Sequence, residues 1–155
     1  MGITHDIQQR LIAIERTMMY NGEAVKASEY VSEGIQPPQT PLFVNHPVGS
    51  AKVEEGSGFY FITRTWELKL YGRKEGDGGR AENEFRMYDL SDLVYALFLT
   101  KRRLQLGDNG VDGIVMAQLT GDNGTEIEPY PIGDKQSMDF YVITFNMDIT
   151  YRIKC

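Results

Sequence analysis

The chain has 155 residues and a mass of 17.6 kDa, with 41% hydrophobic residues, 25% charged residues and a formal charge of −6. Those values fit one globular domain that buries its own core, and they argue against a protein that grips nucleic acid through its phosphates, which takes clustered Lys and Arg. Cys155 is the one cysteine, so no internal disulfide forms. With no apolar run near ~18 residues and no signal-peptide pattern in MGITHDIQQR, the expectation is a soluble, cytoplasmic protein.

In chain order, residues 4–19 predict an amphipathic helix. Ile7, Leu11, Ile14 and Met18 recur at helical spacing, which predicts one face laid on a sheet. Thr4 is the candidate cap, and Asn21-Gly22 ends the segment. Residues 30–58 carry Pro37, Pro38, Pro41 and Pro47. Proline removes ladder donors, so this stretch predicts an extended crossing with at most one short edge strand over 42–44. His5 and His46 are the whole histidine inventory and lack partners at metal-ligand spacing, so both are expected to be solvated or locally bonded.

Phe59–Arg73, FYFITRTWELKLYGR, is the first long strand. Tyr60, Ile62, Trp66, Leu68 and Leu70 share one face, interrupted by Arg64, and Thr63, Thr65, Glu67 and Lys69 share the other. Residues 72–86, rich in Gly and in charges of both signs, predict a solvated loop. Gly76-Asp77-Gly78-Gly79 lacks the spacing and the Lys-Ser/Thr ending of a phosphate-binding loop. Residues 89–106 form the strongest predicted helix: Leu90, Leu93, Val94, Leu97, Phe98 and Leu104 make a stripe, Asp89 and Asp92 suit its start, and Lys101, Arg102 and Arg103 suit its end.

Asp108 to Gly113 resembles a calcium loop only faintly, because Leu119 stands at the twelfth position, where a bidentate Glu is needed. Residues 113–120 predict a third strand and Asp122-Asn123-Gly124 a turn, with Pro129 and Pro131 confining 126–132 to an edge or a loop. The closing strand, 137–154, alternates strictly: Tyr141, Ile143, Phe145, Met147, Ile149, Tyr151 and Ile153 on one face, against Thr144, Asn146, Asp148, Thr150 and Arg152 on the other. The two long strands far exceed the usual ~5–6 residues. Strands that outrun their own core usually continue into a partner.

The expected fold is therefore α+β in a single domain, 1–155: a mainly antiparallel sheet with two long strands, flanked by an N-terminal helix (4–19) and a central Leu-rich helix, with the Pro-rich crossing at 30–58 and the sheet and helix core at 59–154. No nucleophile elbow, zinc-protease, paired-cysteine or dinucleotide motif occurs, and Glu54-Glu55 sits among glycines, where carboxylates keep ordinary pKa values. The sequence predicts no catalytic residue, no metal site and no cofactor.

The order of these segments resembles the tail-terminator (tail-completion) proteins of long-tailed bacteriophages. The resemblance is carried by Thr65-Trp66-Glu67-Leu68-Lys69-Leu70-Tyr71-Gly72-Arg73, by the helix of Leu90 to Leu97, and by Phe140 to Arg152, FYVITFNMDITYR. It implies a virion protein, assembled in the host cytoplasm, whose copies form a hexameric ring at the head-proximal end of the tail. Such a ring binds the tail-tube protein, halts tube growth and receives the head-completion or neck protein, while DNA passes through its centre and no membrane is involved. On that footing Arg73, Lys74, Glu75, Asp77, Arg80, Glu82 and Glu84 are candidate contacts to a neighbouring subunit or the tube, and Asp108, Asp112 and Asp122 face the channel or solvent. The alternatives are another neck protein, a connector or stopper, and a small ligand-binding or enzyme domain with a cleft at Trp66 or Tyr95.

Overall fold

The computed structural model describes residues 2–28, 40–74, 79–107, 109–133 and 136–154. It is an α+β fold with one mixed five-stranded sheet and two helices. Helix α1 spans Ile3–Glu15, strands β1 (Met19–Tyr20) and β2 (Glu23–Ala24) make a small hairpin, and β3 is Lys26–Ser28. Then follow β4 (Leu42–Glu55), β5 (Phe59–Arg73), helix α2 (Gly79–Phe98), β6 (Ile114–Gly133) and β7 (Gln136–Lys154). The sheet order is β3-β4-β5-β7-β6, with β3 parallel to β4 and the other neighbours antiparallel.

The main core lies between one sheet face and the helices. Alternation puts Trp66, Leu68 and Leu70 of β5 beside Met147, Phe145 and Ile143 of β7, all buried. Helix α1 adds Ile7, Leu11 and Ile14, and α2 adds Met87, Leu90, Val94 and Phe98, a stripe of i, i+3, i+7, i+11 spacing. Met87 packs so closely on Gly72 that a Cβ at that position would collide with its sulfur. A side chain on β5 there would force the Met87 side chain to repack.

A second, smaller cluster occupies the opposite sheet face, behind Phe43, Leu70, Tyr141 and Ile143: Leu42, Val44, Tyr71, Tyr130, Phe140 and Val142. Tyr130 stands T-shaped to two rings, Tyr71 at 5.3 Å and Phe140 at 5.9 Å between centroids. The closing strand is thus apolar on both faces at Phe140 to Val142, where the alternation had predicted one wet face, and wet only from Asn146 onward.

Several sequence expectations are corrected. The crossing at 30–58 holds, over its described part, not a short edge strand but the 14-residue β4, which is paired along nearly all of β5. A register shift between Pro47 and Ala51 absorbs the proline that had argued against a long strand. The loop predicted for 72–86 ends early, since α2 starts at Gly79; the helix predicted for 89–106 correspondingly ends at Phe98. The predicted turn at 122–124 is a bulge inside the single 20-residue β6, where the register shifts between Asp122 and Thr125 and Gly124 takes a positive φ of 75°. Four long strands stand where two were expected. Helix α1 stops at Glu15, and Gly2, not Thr4, caps it without a side-chain hydrogen bond.

Candidate functional site

The strands are longer than the helices that cover them. At ~3.4 Å per residue the 15 residues of β5 span about 50 Å, while α1 and α2, of 13 and 20 residues, span about 20 and 30 Å. The excess forms an arm made of the ends of β4, β5 and β7, closed at its tip by residues 56–58. There Gly58 has φ +79° and the Gly56 N–H donates to the Phe59 carbonyl.

The arm keeps the alternation of the core without its cover. On the helix-side face Val53 lies beside Ile62, and Ile62 beside Tyr151; in the next row Glu55 lies beside Tyr60, and Tyr60 beside Ile153. Ile62 still packs against the main core. Val53, Tyr60 and Ile153 are 59%, 40% and 44% exposed. These residues form one contiguous apolar patch across three strands. Arg64 closes it on the core side, where its Nη1 makes only long contacts, 3.4 and 3.3 Å, to the Val48 and Gly49 carbonyls. Its Nε is buried with no partner among the described residues.

The arm's other face combines Phe59 and Phe61 with paired polar groups. Thr63 and Thr150 hydroxyls meet at 2.8 Å, Thr65 donates to Asp148 at 2.7 Å, Lys52 pairs with Glu54, and the Arg152 guanidinium stacks over Phe59.

Helix α2 carries a second apolar surface, pointing away from the sheet. Phe85 and Leu99, 69% and 57% exposed, follow one line with Ala81, Tyr88 and Ala96. Apolar residues lie on both sides of this helix, where an ordinary surface helix keeps one side polar. Along the outer line, Glu84, Asp89 and Asp92 have no ion-pair partner among the described residues, and neither do Lys101 and Arg102 just past its end.

The predicted contact residues fall into separate places. Arg73 is exposed at the end of β5, and Lys74 reaches Asp139 at 4.0 Å while its carbonyl accepts from buried Asn83. Glu82 is engaged with Arg86 one turn on, and Glu84 is exposed. Arg80 lies in the first turn of α2. Glu75, Asp77 and Asp108 lie outside the described residues. Asp112 stands at the opposite end of the sheet, lining a shallow surface hollow with Asp6, Gln9, Arg10 and Val111. Asp122 is a bonded group on β6: it accepts the Tyr95 hydroxyl at 2.5 Å and the Gly124 N–H at 2.7 Å. Burial first, and then that carboxylate, push the Tyr95 phenol up to about 12. The two described acids, Asp112 and Asp122, thus lie apart within one chain.

Trp66 and Tyr95, the residues expected to mark a cleft in the ligand-binding alternative, are both engaged in packing. Trp66 is fully buried and donates to Gln8 at 3.0 Å; Gln8 in turn donates to the Asn45 carbonyl at 2.9 Å. Asn45 donates its side-chain amide to Glu15, a fully buried acid. Burial raises the Glu15 carboxyl well above the ordinary carboxylate range, against the opposing pull of Asn45 and Arg16. The atoms left over, Glu15 Oε2 and Asn45 Oδ1, are both acceptors. A neutral Glu15 avoids a buried charge, and its proton is a donor that a carboxylate lacks.

Among the described residues no group of three or more His, Cys, Asp or Glu side chains is placed to hold a metal ion, and no helix is long and apolar enough to cross a membrane. No protein-family model matches the chain, and no curated protein matches it. The arm patch and the outer line of α2 were not legible as sites: each needs the length of the helix layer, which strand alternation does not contain. The overlong strands were the one signal that pointed to the arm.

Proposed function

We propose that this protein is a structural subunit of a bacteriophage virion that assembles as a ring at the head-proximal end of the tail, stops the growth of the tail tube and joins the tail to the neck. The observation that carries the proposal is the arm: three paired strands keep an apolar face beyond the helices that would cover it. Leaving such a patch in water has a cost of about 25 cal/mol for each Å², and a binding partner removes that cost.

The segment order supports the reading through its resemblance to tail terminators. The chemistry of termination agrees: a polymer end stops growing when a unit occupies it without offering the same surface again. A net charge of −6 suits a ring through which DNA slides, because attractive phosphate contacts would hold the DNA back. In this reading the work is done by shape and by contact surfaces, and no substrate is turned over. Exposed Asp112 remains a candidate for the channel or solvent, and Arg73 and Glu84 remain candidates for contact with a neighbour or the tube.

The test is imaging of tail particles carrying a labelled copy of the chain. Label confined to the head-proximal tip of the tail is expected. Label along the tube, at the distal end, or absent from the particles would overturn the proposal, as would turnover of a substrate by the purified protein.

A further inference from the structure

Two unlike apolar surfaces on one chain, each with its charges, match one another. On the arm, Arg64 and Glu55 stand at the two ends of the patch. Arg64 pairs with Ala51 in the sheet, so four residues of β4 separate the two charges, or about 14 Å. The row of Val53 and Ile62 lies between them, and Tyr60 and Ile153 continue the row of Glu55. Along α2 the acids Asp89 and Asp92 lie nine and six residues before Phe98, where the helix ends, or about 9–14 Å at helical rise, and Lys101 and Arg102 follow just past that end. Between those lie the outward side chains of Leu93, Ala96 and Leu99.

We infer that the arm of one copy lies along the outer face of α2 of a second copy, with Arg64 against Asp89 and Asp92 and Glu55 against Lys101 and Arg102. Ala96 is the short residue midway, and it lets the strands approach the helix closely. A carboxylate brought to Arg64 supplies the strong acceptor that its long carbonyl contacts do not. The opposite alignment would set Arg64 against two cations and Glu55 against two acids, so the charges select one direction. Because the two surfaces differ, the contact is heterologous, and each added copy offers the same free arm or free helix again. Copies joined in this way close into a ring when the rotation per step allows it. The inference rests on the ring reading for its biological meaning, and not for its physical argument.

The test is sedimentation over a range of concentrations in reductant, which keeps Cys155 thiols from cross-linking, with exposed residues substituted so that folding is preserved. Wild-type protein should self-associate. Glu55→Arg alone, and Lys101→Glu with Arg102→Glu alone, should each weaken association about three- to tenfold, and the combined variant should recover most of the loss. A second arm of the experiment mixes a broken patch, Val53→Ser with Ile153→Ser, with a broken helix face, Leu99→Asp. Neither should associate alone, and the mixture should give heterodimers and no larger species, because one contact survives. Absence of association in wild type, no recovery in the combined charge variant, or self-association of either broken variant alone would overturn the contact. A ring that forms but ignores all of these substitutions would overturn the contact and leave the ring standing. Label found away from the tail tip would remove the ring and leave the contact standing.

Discussion

The two halves of the central strands carry the same alternation and meet different fates. Near the helices, Trp66, Leu68 and Leu70 are fully buried; toward the tip, Tyr60 on the same face of the same strand is 40% exposed. In the strand only Arg64 stands at the change. That change occurs where the helix layer ends, so burial here is set by the neighbouring element, and the exposed half is available for a contact outside the monomer.

That contrast is broken most severely from the buried side. Trp66→Ala should cost about 3–5 kcal/mol in urea unfolding, since it empties a fully enclosed site and strands the Gln8 carbonyl oxygen. A loss under about 1 kcal/mol would show that the helices do not seal this half of the sheet.

The next effect is pH dependence at the α1–sheet contact. Glu15 titrates above its unfolded value, so its neutral form contributes stability fully below the unfolded carboxylate pKa. That contribution is lost as pH rises from the ordinary carboxylate range toward the raised folded value, by up to about 1.4 kcal/mol for each pH unit. Glu15→Gln keeps one acceptor and supplies the missing donor. Its stability, measured against wild type from pH 4 to pH 8, should gain as pH rises out of the ordinary carboxylate range; a difference that stays flat would mean Glu15 is charged in the fold.

How much of this was legible follows from what each residue reports. The span Phe59–Arg73 was read with the bounds it has, because Trp66, Leu68 and Leu70 alternate inside the core. Strand β4 was missed because its distal half is exposed, so little in its composition reports pairing, and because Pro47 sits at an irregularity. Gly79 to Arg86 was read as loop since its charges and glycines dominate, although Asn83 and Met87 already face inward. At Asp122-Asn123-Gly124 turn chemistry was present and a bulge used it. The matched charges of Arg64, Glu55, Asp92 and Arg102 belong to three elements and the segment after α2, and only the fold sets their spacings.

A smaller effect sharpens the comparison at the covered side of α2. Tyr95→Phe removes the bond to Asp122 while keeping the ring against Phe145, so it should cost about 0.5–1 kcal/mol at neutral pH. The raised phenol stabilises the fold only while it holds its proton, and that contribution disappears as pH climbs from about 10 toward 12. Ultraviolet titration of the variant should therefore lack one late-ionising tyrosine.

The smallest stability effect belongs to the arm. Val53→Ser with Ile153→Ser should move unfolding by no more than about 0.5 kcal/mol per site, because both residues are surface positions about half open to water. The same folded variant bears most directly on the whole account when its tails are measured by electron microscopy in a phage that depends on this chain. The account predicts tube lengths that spread beyond the wild-type distribution and tails left unjoined to heads; tails of wild-type length joined to heads would contradict it.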